Sequence, residues 1–357
     1  MVVGVGKTLF HRLVNNFGSP EQVFRASKND LMRVDRVDES VATEICKFTV
    51  DAQVEREIRF IEKLGLHVAT LQSSDYPPLL KTIFDPPPVL YYQGKSLDRF
   101  QVPLAVVGTR LPTNYGKIVT GALCDRLASM GVCIVSGMAR GIDTLAHRAA
   151  LQAGGETIAV MGCGLSHTYP PENRQLRDKI IERGAVVSEF PVTTRPERYN
   201  FPARNRVISG LSHGTLIIEA GEKSGSLITA QFALEQGREV FAVPGNINSS
   251  KSRETNRLIK TGAKLVDSPE DIVEELSTSV RQLLVKKSAD IVEIGELSTL
   301  ERQIIDLLIN EEIHIDRIIA NSRLSAAEVS ATLVQLELRG LVRQLEGKLF
   351  IATCKHE

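Results

Sequence analysis

From residue 102 onward, short apolar runs rich in β-branched residues alternate with segments whose apolar residues recur at helical spacing. The apolar runs predict six strands, at residues 104–107, 132–135, 157–161, 185–187, 215–218 and 239–243. The intervening segments predict six helices, at about residues 116–130, 143–153, 171–183, 203–211, 227–236 and 255–261. This alternation predicts an α/β domain with a doubly wound, mainly parallel sheet, whose functional residues lie at the carboxyl ends of the strands.

The first 66 residues have a helical pattern. Gly4-Val5-Gly6 predicts a tight turn into a first helix that Gly18 ends, typical of a helix-hairpin-helix remnant. Ser19-Pro20 predicts the capped start of a second helix. Residues 31–37 could form a second hairpin but lack glycines, so packing is favoured over DNA contact. A long helix is predicted from about Glu39 to Leu64, with Gly65 ending it.

Three further segments complete the predicted organisation. Residues 67–94 are rich in proline, which predicts an extended connector along the sheet edge. Residues 277–296 lose the α/β rhythm and predict a linker. Three helical patterns and a hairpin around Glu346-Gly347-Lys348 predict a C-terminal winged helix. The predicted domains are therefore 1–66, 67–276 and 297–357, with 277–296 between the last two.

Charge and cysteine content narrow the function classes. The chain has 43 Lys and Arg against 43 Asp and Glu, so any affinity for nucleic acid depends on placement. Residues 101–270 carry 20 Lys and Arg against 15 Asp and Glu, a surplus of 5. The five cysteines form no CxxC pair or zinc spacing, and no signal peptide or membrane-length apolar run occurs. We therefore expect reduced thiols, a cytoplasmic location, and neither a metal nor another cofactor.

The densest cluster of candidate binding residues lies between residues 200 and 231. The predicted strand at 215–218 leads into the loop 221–226, which ends where a helix begins, and such helix starts attract anions. This loop adds a cation and hydroxyl donors from Lys223, Ser224 and Ser226, with Gly225 between the serines. Just upstream lie Phe201, Arg204, Asn205 and Arg206. Groups that can donate hydrogen bonds to phosphate oxygens, next to an aromatic ring on which a base can stack, predict single-stranded nucleic acid as the ligand.

Other strand ends carry weaker candidates. Arg110 follows the strand at 104–107 and is expected to meet a phosphate. Neither the loop that begins at Gly108 nor the loop with Gly162 and Gly164 completes the glycine pattern of dinucleotide-binding sites, which argues against a dehydrogenase. Asp143 and His147 are four residues apart on one helix, but no third ligand or nucleophile joins them. We interpret them as a capping aspartate and a packed histidine. Glu219 is interpreted as a carboxylate that pairs with the positive charge of the Lys223 loop. The sequence thus predicts a binding protein rather than an enzyme.

The winged helix has few cations on its third helix, whose charged residues are Glu328, Glu337 and Arg339. A helix that reads bases in the major groove needs more cations than this to neutralise the surrounding phosphates. The pattern therefore favours protein contact or a structural role over a transcription regulator.

Several runs together resemble the DprA/Smf family of DNA-processing proteins. They are residues 75–80, 86–94, 106–110, 136–147, 159–164, 169–173, 188–191, 201–212, 219–230 and 233–245. The resemblance implies a helical N-terminal domain, an extended Rossmann-like domain that binds single-stranded DNA, and often a winged helix. It also implies homodimers that protect incoming single strands and help load the RecA recombinase in natural transformation, possible contact with single-strand DNA-binding protein, and no membrane attachment.

On this resemblance the DNA contacts are Arg110, Arg140, Phe201, Arg204, Asn205, Arg206, Lys223, Ser224, Gly225 and Ser226. Two features depart from the family. Glu254 replaces a glycine and is expected to weaken binding at the DNA rim, and the chain starts almost inside its first hairpin, so a shortened N-terminal domain is expected. The rival interpretation is a nucleotide-processing hydrolase of the phosphoribohydrolase type. The Pro-Gly-Gly-x-Gly-Thr-x-x-Glu loop of those enzymes is absent, because residues 219–226 stand in its place.

Overall fold

The structure is a computed structural model that describes residues 2, 4–49, 52–284, 298–308, 312–322, 324–338, 341–345 and 347–352. The chain divides into two compact units, Met1–Ser288 and Ala289–Glu357. Within the described ranges, no helix is both long and apolar enough to cross a membrane.

Five short helices form the N-terminal part of the first unit. They are α1 (Lys7–Phe17), α2 (Pro20–Arg25), α3 (Lys28–Leu31), α4 (Glu39–Lys47) and α5 (Ala52–Leu64). Gly18 ends α1 at a φ of 90°, and the Ser19 hydroxyl caps α2 by accepting from the Gln22 N–H at 3.3 Å. Apolar side chains from α1 to α4 share a small core of their own.

The single long helix predicted from Glu39 to Leu64 is wrong. Helix α4 ends at Lys47, where Phe48 takes an extended conformation, and α5 begins at Ala52. The two helices pack on different cores, since Ile45 joins the N-terminal cluster while Ile61 packs under the large sheet. One straight helix cannot reach both cores, so the chain bends between them.

A nine-stranded sheet forms the centre of the first unit. Its strands are β1 (His67–Thr70), β2 (Val89–Gly94), β3 (Pro103–Val107), β4 (Cys133–Ser136), β5 (Thr157–Val160), β6 (Ala185–Ser188), β7 (Gly214–Ile217), β8 (Glu239–Ala242) and β9 (Lys264–Leu265). Their spatial order is β1-β2-β6-β5-β4-β3-β7-β8-β9. The pairs β1–β2 and β2–β6 are antiparallel and the remaining pairs are parallel. This order confirms the predicted doubly wound sheet.

The helices around this sheet are α6 (Pro78–Lys81), α7 (Asn114–Ser129), α8 (Ile142–Gln152), α9 (Arg174–Arg183), α10 (Asn200–Gly210), α11 (Gly225–Glu235), α12 (Arg253–Lys260) and α13 (Pro269–Glu275). Side chains of α7, α8 and α13 share one buried cluster with the sheet, and those of α10 and α11 share another. The sheet is therefore covered on both faces, as its continuous apolar strands require.

The winding direction of the sheet reverses beside β3. From β3 the chain adds β4, β5 and β6 on one side, and then crosses back to place β7 on the other side of β3. In the register of the sheet, Ala105 of β3 pairs with Val135 of β4 on one side and with Thr215 of β7 on the other. Loops that leave two such strands diverge and open a crevice at their carboxyl ends. The topology therefore predicts that a binding site, if present, lies in the crevice between the loop after β3 and the loop after β7.

The connector, residues 67–94, lies along the edge of the sheet as predicted, because its strands β1 and β2 form the outer edge. Its prolines do not exclude helix entirely, since Pro78 begins the single turn of α6. Proline is tolerated at the first position of a helix because no N–H is needed there.

The second unit is a winged helix with helices α14 (Thr299–Leu308), α15 (Ile315–Ser322) and α16 (Ala326–Leu338). Strands β10 (Ile313–His314), β11 (Val342–Leu345) and β12 (Leu349–Ala352) pair in the order β10-β12-β11. Glu328 accepts hydrogen bonds from the Ser325 N–H and hydroxyl at 2.9 and 2.7 Å, so this carboxylate closes the start of α16. Arg339, Glu346 and Cys354 lie outside the described residues.

The predicted linker at 277–296 begins too early. Residues 278–284 are helical, and Val280 and Leu284 are buried in the core that α7 and α8 share. Spaced four residues apart, these side chains fall on one helical face and bind this turn to the first unit. The rest of the predicted linker, from residue 285, lies outside the described residues.

Candidate nucleic-acid interface

A cleft of about 770 Å³ opens at the carboxyl ends of β3 and β7. Eight of the ten predicted contact residues line it: Arg110, Phe201, Arg204, Asn205, Lys223, Ser224, Gly225 and Ser226. The sheet topology brings them together, because the β3 loop supplies one wall while α10 and the start of α11 supply the other.

The start of α11 forms an anion-binding end of the cleft. Ser224 is the N-cap, and its hydroxyl accepts from the Ser226 N–H at 3.4 Å and lies 2.7 Å from the Ser226 hydroxyl. Gly225 and Lys223 are exposed beside it. The positive end of the helix dipole, the exposed backbone at Gly225 and the Lys223 ammonium together favour a phosphate group.

Phe201 presents an aromatic ring in the same cleft. The ring centroid lies 5.4 Å from that of Tyr169, and the guanidinium carbons of Arg110 and Arg204 lie 5.8 and 5.9 Å from it. A Cβ atom at Gly162 would come within 2.7 Å of the ring, so only glycine allows the ring to sit there. The glycine loop after β5 therefore makes room for Phe201.

Arg204 forms the floor of the cleft. Its side chain is buried and donates to the Gly137 carbonyl at 2.6 Å and to the Val160 carbonyl. Burial lowers the pKa of its guanidinium to about 10, while Asp143 acts in the opposite direction. Donors already committed to carbonyl oxygens are poor phosphate ligands. Arg204 thus joins the loops after β4 and β5 and positions the residues above it.

Asp143 and His147 are structural, but the expectation that Asp143 caps its helix is wrong, because Gly141 is the N-cap of α8 and no side chain caps it. The Asp143 carboxylate accepts from the Gly137 and Ala139 N–H groups at 3.1 and 3.3 Å, which fixes the loop after β4. Burial raises the pKa of Asp143 to about 6, with Arg204 opposing the rise. His147 is fully buried, its Nδ1 lies 2.7 Å from the Thr157 hydroxyl, and burial lowers its pKa to about 3.

Two predicted contact residues do not line the cleft. Arg206 is buried on α10, where it pairs with Glu189 and with Asp85 at 3.2 Å and donates to the Asp85 carbonyl at 2.7 Å. Arg140 is exposed, but it pairs with Glu172, which raises the pKa of its guanidinium. Arg204 and Arg206 are two positions apart on a helix, so their side chains leave on different faces.

The structure contradicts the expectations for both glutamates noted in the sequence, namely the partner of Glu219 and the position of Glu254 at the DNA rim. Glu219 accepts from the N–H and hydroxyl of Thr113 at 2.9 and 2.5 Å, so its expected pairing with the Lys223 loop is wrong. A buried carboxylate at the end of β7 satisfies the nearest donors, which belong to the start of α7. Glu254 is also buried, lies 3.4 Å from Arg257 and does not line the cleft.

Among the cleft residues that were not predicted as contacts from the sequence are Tyr169, Arg198 and Lys251. Arg198 lies three positions before Phe201 and could have been found by extending the cluster upstream. Lys251 comes from the loop after β8, and the Ala220 N–H donates to its carbonyl at 2.8 Å. Because β8 is the next strand beyond β7, its loop was a candidate once the strand order was known.

Comparison with models of protein families shows which family the chain belongs to. The model described as DNA recombination-mediator protein A matches residues 67–277, and the DprA winged helix domain matches residues 293–348. The chain belongs to the DprA/Smf family. Protein Smf from Escherichia coli (strain K12) is 41% identical over 304 residues, which cover 82% of this chain and 79% of that protein. DNA processing protein DprA from Bacillus subtilis (strain 168) is 47% identical over 213 residues, covering 59% of this chain and 72% of the relative.

Solved structures of DprA proteins have the same fold. The X-ray structure of DNA processing protein A from Streptococcus pneumoniae superposes with a TM-score of 0.64 at 34% identity, covering 76% of this chain and 99% of that one. DNA processing protein A from Helicobacter pylori, described for its single-stranded DNA binding mode, gives a TM-score of 0.53 at 32% identity, covering 62% and 97%. The predicted family and fold class are thus confirmed.

Proposed function

We propose that the chain binds single-stranded DNA without sequence preference in the cleft between β3 and β7. The observation that carries this proposal is that one cleft holds an aromatic ring, Phe201, an exposed cation over that ring, Arg110, and the start of α11. A phosphate would bind at α11 and Lys223, and the adjoining base would stack on Phe201. The related protein from Helicobacter pylori is described as binding single-stranded DNA.

The ligand class follows from which nucleic acids these groups can distinguish. Phosphate contacts fix a strand without reading its sequence, and every base has a face that can stack on an aromatic ring. A base inside a duplex has both faces covered, so the ring can accept it only from an unpaired strand. We therefore expect single strands of different sequence to bind about equally well, and duplexes to bind more weakly.

The wider role we propose is that of a non-enzymatic recombination mediator. Membership of the DprA/Smf family supports a cytoplasmic homodimer that protects incoming single strands and helps load the RecA recombinase in natural transformation and homologous recombination. Contact with single-strand DNA-binding protein belongs to the same proposal. The acidic cleft residues are already engaged, Asp143 with backbone N–H groups and Glu222 with Arg253, which disfavours a hydrolase.

The binding proposal is tested by titrating labelled single- and double-stranded oligonucleotides of equal length between about 50 and 200 mM salt. Single-strand-preferring, salt-sensitive binding is expected, with no turnover of nucleoside monophosphates in parallel assays. Arg126→Ala is a matched control for Arg110→Ala, because Arg126 lies in the last turn of α7, does not line the cleft and pairs with Glu270 at 3.8 Å. Turnover of nucleotides without strand preference would refute the proposal and favour the phosphoribohydrolase interpretation.

The mediator role has its own test. RecA assembly on single strands coated with single-strand DNA-binding protein is followed with and without this protein. Faster assembly is expected with the unaltered chain and not with Arg110→Ala. Tight DNA binding that leaves the assembly rate unchanged would limit the function to protection of the strand.

A further inference from the structure

Four large apolar side chains are exposed together at the carboxyl edge of the sheet, on the α7 side of the cleft. Leu111 is 75% exposed, Tyr115 46%, Ile118 71% and Ile247 90%. Exposed apolar residues that occur singly need no explanation, but a group beside a binding cleft marks an interaction surface. We call these four residues the apolar rim.

The fold brings the members of the apolar rim together from two loops and a helix. Tyr115 and Ile118 are three residues apart on α7 and therefore share one helical face. The Tyr115 hydroxyl donates to the Pro244 carbonyl at 2.8 Å, which ties this face to the loop after β8. In that loop the Asn246 side chain and carbonyl accept from the N–H groups of Asn248 and Ser249, both at 2.9 Å. This tight turn places Ile247 at its tip.

The apolar rim continues directly from the cleft. Leu111 follows Arg110, which lines the cleft, and the loop that carries Ile247 also supplies the cleft residue Lys251. Lys117 is exposed on the same turns of α7 as Tyr115 and Ile118. Cations therefore border apolar side chains along this path. A single strand requires the same alternation, since its phosphates need cations and its unstacked bases need apolar surface.

We propose that the apolar rim is a second base-binding surface for single-stranded DNA, over which the nucleotides that leave the cleft pack their bases. This inference rests on the proposed function of the cleft. Tyr115 supplies the stacking face, its orientation fixed by the hydrogen bond to Pro244. Leu111, Ile118 and Ile247 extend the apolar contact, and Arg110 and Lys117 accompany the phosphates.

Oligonucleotide length separates the cleft from the apolar rim. Oligothymidylates of about 4 nucleotides fit within one compact site, and those of about 16 nucleotides extend beyond it. The variant Leu111→Ser/Ile247→Ser and the variant Tyr115→Ala are each expected to bind the longer strand at least about fivefold more weakly, the equivalent of a weak stacking contact. Their affinity for the shorter strand should be unchanged. Far-UV circular dichroism verifies that the variants fold.

The matched control is Leu234→Ser, because Leu234 is an exposed leucine near the opposite end of α11 and should leave both affinities unchanged. Arg110→Ala should weaken binding of both lengths. If the unaltered protein binds neither strand, the proposed function of the cleft fails. If it binds both and the rim variants retain full affinity for the longer strand, the apolar rim has no role in DNA binding.

Two other outcomes would also overturn the inference. Equal losses for the short and the long strand would place these residues among the contacts of the cleft itself. Loss of self-association in sedimentation experiments, with full affinity for the longer strand, would identify the apolar rim as an interface between two copies of the chain.

Discussion

Two buried ionisable groups on α8, Asp143 and His147, predict opposite effects of pH on stability. Burial raises the pKa of Asp143 from 3.8 to about 6, so the folded state holds this proton more tightly than the unfolded state does. The free energy of unfolding therefore falls as pH rises through this range. Burial lowers the pKa of His147 from 6.5 to about 3, so the unfolded state binds that proton and stability rises with pH.

The two effects overlap between about pH 4 and pH 6, where each changes the free energy of unfolding by about 1.4 kcal/mol per pH unit. Because the signs are opposite, they offset one another in the unaltered protein. Asp143→Asn removes one of them and should make stability rise with pH relative to the parent, by about 3 kcal/mol over the window. His147→Asn, which keeps a neutral polar atom near Thr157, should make stability fall by a similar amount.

Urea unfolding followed by far-UV circular dichroism measures these profiles, since the chain contains no tryptophan for fluorescence. The informative quantity is the slope of stability against pH, because either substitution also changes absolute stability through altered packing. The double variant Asp143→Asn/His147→Asn is the internal control and should run parallel to the parent protein. A profile of Asp143→Asn that also runs parallel to the parent would refute the reasoning, because Asp143 would then not titrate in this window.

Three further predictions concern the cleft and its support. Phe201→Ala should weaken single-strand binding by about 1 to 3 kcal/mol through lost base stacking, and unchanged anisotropy titrations would remove Phe201 from the site. Arg110→Ala should weaken all sequences equally and flatten the salt dependence by roughly 0.7 log unit per log unit of salt, whereas a sequence-selective defect would mean that Arg110 reads bases. Arg206→Ala should destabilise the first unit by about 3 to 5 kcal/mol, because it removes the buried cation that pairs with Glu189 and Asp85. Urea unfolding checks this value, and an unchanged midpoint would show that the ion pairs contribute nothing.

The sequence predicted the sheet and most of the cleft because both depend on local patterns. The apolar runs identify the strands, and parallel strands place their carboxyl ends at one edge. Gly225 and Ser226 were predicted as an anion site from the loop and helix that they join. No contact between distant segments was needed for these inferences.

The misplaced residues are those whose role depends on a distant partner. Arg204 and Arg206 have similar sequence surroundings, yet Arg206 faces Asp85, more than one hundred residues earlier in the chain. Glu219 was expected to pair with its own loop, but Thr113 offers two donors across the switch point. Lys251 could be assigned to the cleft only once the spatial order of the strands was known. Sequence periodicity identifies a buried face but not the element that covers it.

The link between Glu219 and Thr113 has a consequence for how the cleft receives its ligand. It joins the loop at the end of β7 to the start of α7, across the opening between the two diverging loops. The cleft walls are thus preorganised, and the protein loses little conformational entropy on binding. The strand must instead adapt to these walls, and a self-stacked strand such as oligoadenylate must unstack a base before that base meets Phe201. Oligoadenylate should therefore enter more slowly than oligothymidylate.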